Sequence, residues 1–225
     1  MTSSQRFIDY SSHFNTTGFK AAFSLKQDSE INEKDRIFLA TTLHLDSAKL
    51  VIPKQTHSNH VKFCKKGGLP KDTDGLVSEK ESCVLSIQVA DCIPVYFLES
   101  DTGQFGLMHA GWRGVENGII QKAVSFFNPK KLRCLLGPSI QHCCFEIGPD
   151  VGKLFSKSFQ KKGKGDRSFL NLQNVVMHHL TELGMDEKHI MNDKTCTKCN
   201  PENFHSYRRD GYKAGRHIAV AGWLC

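Results

Sequence analysis

With 225 residues, 39% of them apolar and 15 of them Phe, the chain is long enough to bury one good-sized core or two small ones. Lys and Arg outnumber Asp and Glu by 30 to 23, and the net +7 favours an anionic small molecule or nucleic acid without choosing between them. No run of 18 apolar residues exists and Met1 to Ser12 is polar, which argues against a membrane span or a secretory leader.

Taken in order, Met1 to Asp28 is weakly patterned, with an edge strand expected around Phe19 to Leu25. Glu30 to Leu43 reads as a helix with Ile31, Ile37, Phe38 and Leu43 on one side. Short strands are expected at Leu50 to Pro53 and Val61 to Cys64, with His57 and His60 in the bend between them. Asp74-Gly75 reads as a tight turn, and Ser82 to Val89 as a strand. Ile93 to Leu98 and Phe105 to Met108 follow as buried strands. Gly111 and Gly114 are read as letting the backbone turn around Trp112 and Arg113. Val115 to Phe127 is an amphipathic helix, Leu132 to Leu136 a strand, and Pro149-Asp150 a helix start. The basic run Lys161, Lys162, Lys164 and Arg167 contains two glycines and reads as a solvated loop rather than a nucleic-acid patch. A helix from Phe169 to Leu183 and strands at Lys188 to Met191 and His217 to Leu224 complete the pattern. Strands and helices intermix without a linker or repeat, so one α/β (α+β) domain over residues 1–225 is expected.

The chemistry concentrates between Ala90 and Gly114, where Cys92 and His109 stand at strand–loop junctions with 16 residues between them. With His57 they make an acceptable set of three zinc ligands that leaves one position open. The competing reading is a structural cysteine with two surface histidines, and spacing alone leans that way. Cys196 and Cys199 form a lone CxxC. Cys143, Cys144 and His142 could complete a closed site in principle, but adjacent cysteines are poor partners, so a structural or unliganded pair is expected. Nine cysteines, an odd count with irregular spacing, read as reduced thiols in a cytoplasmic protein. Arg113, the Arg208-Arg209 pair and Arg216 are either anion-binding forks or surface salt-bridge partners.

The ordered segments QTHSNHV, DGLVS, ADCIPV, HAGWRG, GPSIQHCCFEIGPDV and FHSYRRDGYKAGR resemble the laccase-domain family, from about residue 55 to the C-terminus. Its members were named multicopper polyphenol oxidases and later described as purine nucleoside phosphorylases. Phe14 to Leu25 reads FNTTGFKAAFSL and lacks the Arg-Gly-Gly segment usual there, so the resemblance does not carry over a substrate contact at that segment. The resemblance implies a single-domain layered α/β sandwich related to the toxin-type cysteine hydrolases. It also implies zinc, rather than copper, on His57, Cys92 and His109. The implied activity is phosphorolysis of adenosine, inosine and methylthioadenosine to base and ribose 1-phosphate, with adenosine deamination beside it. The implied partners are therefore purine nucleosides and phosphate, with neither nucleic acid nor a membrane.

Within that reading, Arg113 and Arg208 or Arg209 are the phosphate candidates, and Cys92, His109, Arg113 and Glu146 the catalytic ones. Glu146, Asp91 and His60 are candidate proton shuttles. Three rivals remain. A copper phenol oxidase would want paired HxH patterns, and none occurs among the 11 histidines. A Cys92–His109 amidase, including one that edits peptidoglycan precursors, needs only the thiol and imidazole. A non-catalytic binding domain is the third.

Overall fold

Strands that are apolar at every position need cover on both faces, and the chain meets this need with two sheets stacked between helices. A computed structural model describes residues 7–27 and 32–224. The strands begin with β1 (Phe7–Asp9), β2 (Phe19–Ser24), β3 (Leu50–Val51), β4 (Val61–Cys64), β5 (Gly75–Ser78) and β6 (Val84–Val89). They continue with β7 (Ile93–Glu99), β8 (Phe105–Ala110), β9 (Leu132–Leu136), β10 (Glu146–Ile147) and β11 (Gln160–Lys162). The last three are β12 (Ser168–Leu170), β13 (Ile190–Asn192) and β14 (His217–Trp223). The helices are α1 (Glu33–Thr42), α2 (Trp112–Glu116), α3 (Ile119–Val124), α4 (Pro149–Gly152), α5 (Leu172–Glu182) and α6 (Tyr207–Asp210).

One sheet has the order β1-β2-β14-β6-β3 and the other β13-β9-β7-β8-β5-β4, with a small β10-β12-β11 sheet beside them. Phe19, Phe23, Leu85, Ile87 and Ala219 of the first sheet meet Leu76, Tyr96, Leu98, Phe105 and Leu107 of the second. The outer face of the second sheet carries Val95, Phe97, Met108 and Leu136 against Ile119, Ala123, Val176 and Leu180 of α3 and α5. The outer face of the first carries Ala22, Val84 and Val220 against Leu39, Ala40 and Leu43. The result is a mixed α/β single domain in four layers.

Several expectations shift. The strand at Phe19–Ser24 is not an edge, because β1 and β14 pair with it on both sides. In α1 the buried residues are Arg36, Leu39 and Ala40, while Ile37 and Phe38 face solvent. Arg36 is held inside by Ser86 at 2.5 Å and Gln88 at 3.3 Å, so a charged residue takes the place expected for an apolar one. Glu30 and Ile31 lie outside the described residues. The helix expected from Val115 is two helices, broken at Gly118, whose φ of +86° suits glycine. Phe169 belongs to β12, and Asn171 caps α5 through the Asn174 N–H. The basic run forms the β11–β12 hairpin rather than an open loop. No described helix is long and apolar enough to cross a membrane.

Candidate functional site

Strand register assembles the site. β8 lies between β7 and β5, antiparallel to both, with Pro94 opposite His109 and Gly75 opposite Met108. Running the first ladder two residues further and the second ladder one sets Cys92 against Gly111 and Asp74 against His109. The His109 N–H donates to the Asp74 carbonyl at 2.7 Å, which confirms the second step. His57 comes from the bend before β4, and the donor atoms of His57, Cys92 and His109 all lie within 4.8 Å of one another. A side chain at 111 would stand 3.0 Å from Cys92 Sγ and 3.3 Å from the His57 ring. Gly111 therefore permits a close approach rather than a turn, since its φ of −78° is ordinary.

Asp74 is the residue that organises this set, and the sequence reading gave it only a turn. Its carboxylate is fully buried and accepts the backbone N–H groups of Thr56, His57 and Ser58 at 3.1, 3.0 and 2.7 Å, and the Ser58 hydroxyl at 2.7 Å. It also takes the His109 Nδ1 hydrogen at 2.7 Å, which leaves Nε2 as the free donor atom of that ring. Burial alone would raise the Asp74 carboxyl. The hydrogen bonds from His109, Ser58 and Thr56 outweigh it and hold the group well below the usual carboxylate range. One signal was available: an Asp directly before a strand inside the quoted DGLVS segment.

The same logic charges the pair above it. Burial pushes the Cys92 thiol up, but the His109 charge and hydrogen bonds from His109 and His57 bring it down to about 6. Burial pushes His109 down, and the Cys92 and Asp74 charges lift it to about 9. A thiolate and two imidazoles, one backed by a carboxylate, fit a three-ligand zinc site with an open position. His57 and Asp91 have φ of +60° and +79°, two of the six described residues other than glycine with positive φ.

A cavity of about 540 Å³ opens above the three donors. Its lining includes Arg113, Arg208 and Arg216, the apolar Ile140, Phe145 and Leu172, and Gln55 and Gln88. Arg113 lies over the Trp112 ring at 4.4 Å and Arg208 over the Phe145 ring at 5.2 Å. Arg216 also reaches the cavity, with its Nη1 on the Ala214 and Gly215 carbonyls at 2.6 and 3.1 Å. The sequence reading weighed Arg216 but did not place it in the site.

The other candidates stand elsewhere. Arg209 spends its guanidinium on the carbonyls of Thr197, Lys198 and Phe204 at 3.2, 3.2 and 2.8 Å and on Asp210 at 2.8 Å, away from the cavity lining. Glu146 pairs with Arg167 at 3.6 Å and does not line the cavity. His60 is exposed and paired with Asp72 at 3.0 Å. Asp91 does line the cavity, but its oxygens accept from Thr197, Ser206 and the Arg208 N–H at 2.6, 3.0 and 2.6 Å. It ties the 196–210 segment to the strand end that carries Cys92, which leaves it poorly placed to carry protons.

The family model described as multi-copper polyphenol oxidoreductase laccase matches residues 3–224. The chain belongs to this family. Among its relatives, the purine nucleoside phosphorylase of Aquifex aeolicus is 31% identical, with 73% of this chain and 79% of that one covered. The adenosine deaminase RL5 of an unknown prokaryotic organism is 28% identical over 80% of this chain and 78% of that one. The crystal structure of YlmD from Geobacillus stearothermophilus has the same fold, with a TM-score of 0.90, 23% identity, and 100% of this chain and 98% of that one covered. The laccase-family match includes the N-terminal stretch in which no family segment was recognised.

Proposed function

We propose that the chain is a zinc-dependent purine nucleoside phosphorylase, which converts adenosine, inosine and methylthioadenosine to base and ribose 1-phosphate and deaminates adenosine at the same site. The observation that carries this reading is the union of a His57–Cys92–His109 donor set with three arginines in one cavity of about 540 Å³. That volume lies within the range of small-ligand sites. The names of the relatives support the same reaction classes.

Zinc bound there supplies Lewis-acid activation of water or of a substrate oxygen at neutral pH. The chain's own residues do the rest. Asp74 fixes the His109 ring with Nε2 toward the donor set. Phe145, Ile140 and Leu172 offer a flat apolar wall for a purine. Arg113, Arg208 and Arg216 present guanidinium groups for phosphate, whose oxygen bonds to the sugar carbon as the glycosidic bond breaks. The bond's electron pair leaves with the base. No role in moving protons is assigned to Glu146 or His60, which stand outside the cavity lining.

A second reading rests on the line Cys92, His109, Asp74, which also has the order of a cysteine-hydrolase triad. One experiment separates the two. The protein is incubated with adenosine, inosine and methylthioadenosine, with and without phosphate, and the products are resolved by chromatography. Phosphate-dependent release of base, lost on chelation and restored by zinc rather than copper, is the expected outcome. Arg208→Ala is expected to raise the phosphate requirement more than the nucleoside requirement. Turnover of an amide that survives chelation and is killed by thiol alkylation would establish the hydrolase instead.

A further inference from the structure

A second group of metal-capable side chains lies outside the cavity lining. Cys143 and Cys144 sit in the turn after β9, and Cys196 and Cys199 in the loop after β13. β9 and β13 are parallel neighbours, with Asn192 opposite Leu136, so both loops leave the sheet at the same end. A bridge between Ser139 and Cys196 carries the pairing on: the Ser139 N–H donates to the Thr195 carbonyl and the Thr197 N–H to the Ser139 carbonyl, at 3.3 and 3.2 Å. All four sulfurs lie within 4.8 Å of one another, with Cys143–Cys199 at 3.7 Å and Cys144–Cys199 at 3.3 Å.

We propose that these four cysteines form a second metal site, a closed tetrathiolate site for zinc with a structural role. Four sulfurs about 2.3 Å from one tetrahedral ion stand about 3.8 Å apart, close to the spacing already present. A disulfide would use two of the four and leave two thiols in the same small volume. The objection that adjacent cysteines diverge holds for extended chain. Here the N–H groups of Cys144 and Phe145 both return to the Gln141 carbonyl at 2.9 Å, so the chain curls and both sulfurs reach the group.

Donors for a thiolate are also in place. Cys196 Sγ accepts the Gln141 N–H at 3.5 Å, and the backbone N–H of Cys199 turns toward it within the CxxC loop. Four thiols would lose four protons to solvent as the ion binds, leaving a net charge of about −2. Lys198 lies within the CxxC, and the Arg209 guanidinium rests on the carbonyls of Thr197 and Lys198, which places positive charge beside it. The ion would staple one wall of the cavity. Phe145 follows Cys144 directly, and the 196–210 segment carries Arg208 and is tied to Asp91 by Thr197 and Ser206.

Metal content tests this without reference to turnover. Protein prepared under reducing conditions is expected to hold about two zinc ions per chain, one in each group. Cys199→Ser and, independently, Cys143→Ser are expected to lose one and keep the other, with a lower Tm. Cys92→Ala is expected to lose the other one. Cobalt(II) loaded into Cys92→Ala protein is expected to give the intense thiolate charge-transfer and tetrahedral d–d bands of a sulfur-only site. A single zinc per chain that disappears in Cys92→Ala would overturn the proposal. So would cobalt(II) in that variant without those bands, or a disulfide from Cys199 to Cys143 or Cys144 in protein kept reduced.

Discussion

The two sulfur-bearing groups differ in how their donors are held. At His57, Cys92 and His109, a fully buried carboxylate ties three backbone N–H groups and one imidazole together, and the donors face a cavity. At Cys143, Cys144, Cys196 and Cys199 the held group is backbone, two loops clipped at Ser139, with Cys143 and Cys199 exposed to solvent. The first arrangement fixes ring orientation and would leave one coordination position of a bound zinc open. The second surrounds its centre with sulfur and leaves none. A catalytic zinc site and a structural one need these opposite geometries, and the two donor groups of this chain match them in that order.

The largest break in this contrast comes from Asp74. Asp74→Ala leaves several buried donors without an acceptor and is expected to cost about 3–5 kcal/mol, read by urea unfolding. Asp74→Asn keeps the shape but not the charge, and is expected to lower metal affinity or turnover about 10–100-fold. Neither change is expected to release metal from the four-cysteine group. Release from both groups by Asp74→Asn would show that they are one coupled unit.

Acid should strike the two regions in the opposite order. The 196–210 segment is anchored by the His205 N–H, which donates to His217 Nε2 at 2.8 Å, while His217 Nδ1 donates to the Ser24 carbonyl at 2.8 Å. Burial, with His205 beside it, holds His217 down at about 3, against 6.5 for an ordinary histidine. Between those values the unfolded chain binds the extra proton, so this contribution is complete above pH 6.5 and is lost as pH falls toward 3. The loss between pH 7 and 5 is about 2 kcal/mol by the two-state proton balance. Urea midpoints at both pH values check it, and His217→Gln, which keeps an acceptor for the His205 N–H, is expected to flatten the dependence. The Asp74 carboxylate sits well below the usual range, so its share of stability lies above that range and survives to lower pH.

The smallest effect separates the two neighbouring arginines. Arg209→Lys loses the fork across three carbonyls and is expected to cost about 1 kcal/mol of stability while leaving the phosphate dependence of turnover unchanged. Arg208→Lys is expected to do the reverse. Thermal scans beside phosphate titrations distinguish them, and a phosphate effect of Arg209→Lys would return that residue to the site.

Local chemistry made part of this legible. Apolar runs such as Ile93 to Leu98 and Leu132 to Leu136 located strands, because a segment buried on both faces has few polar positions. Cys92, His109 and His57 could be singled out by residue type and matched segments, since few side chains bind metals. The amphipathic reading of α1 placed Leu43 inward correctly but not Ile37 and Phe38, because Arg36, satisfied by Ser86 and Gln88 of β6, took an inward position that composition assigns to an apolar residue. Arg208 and Arg209 are adjacent and alike in sequence, and only the positions of Phe145 and of the Thr197 and Lys198 carbonyls give them different work. The sequence alone narrowed the metal and anion candidates by residue type, but it kept Arg209 among them and set the four-cysteine group aside. Tertiary structure decided that Asp74 backs His109 and that four cysteines from two distant loops converge, because strand register and parallel neighbours bring together residues that no local spacing relates.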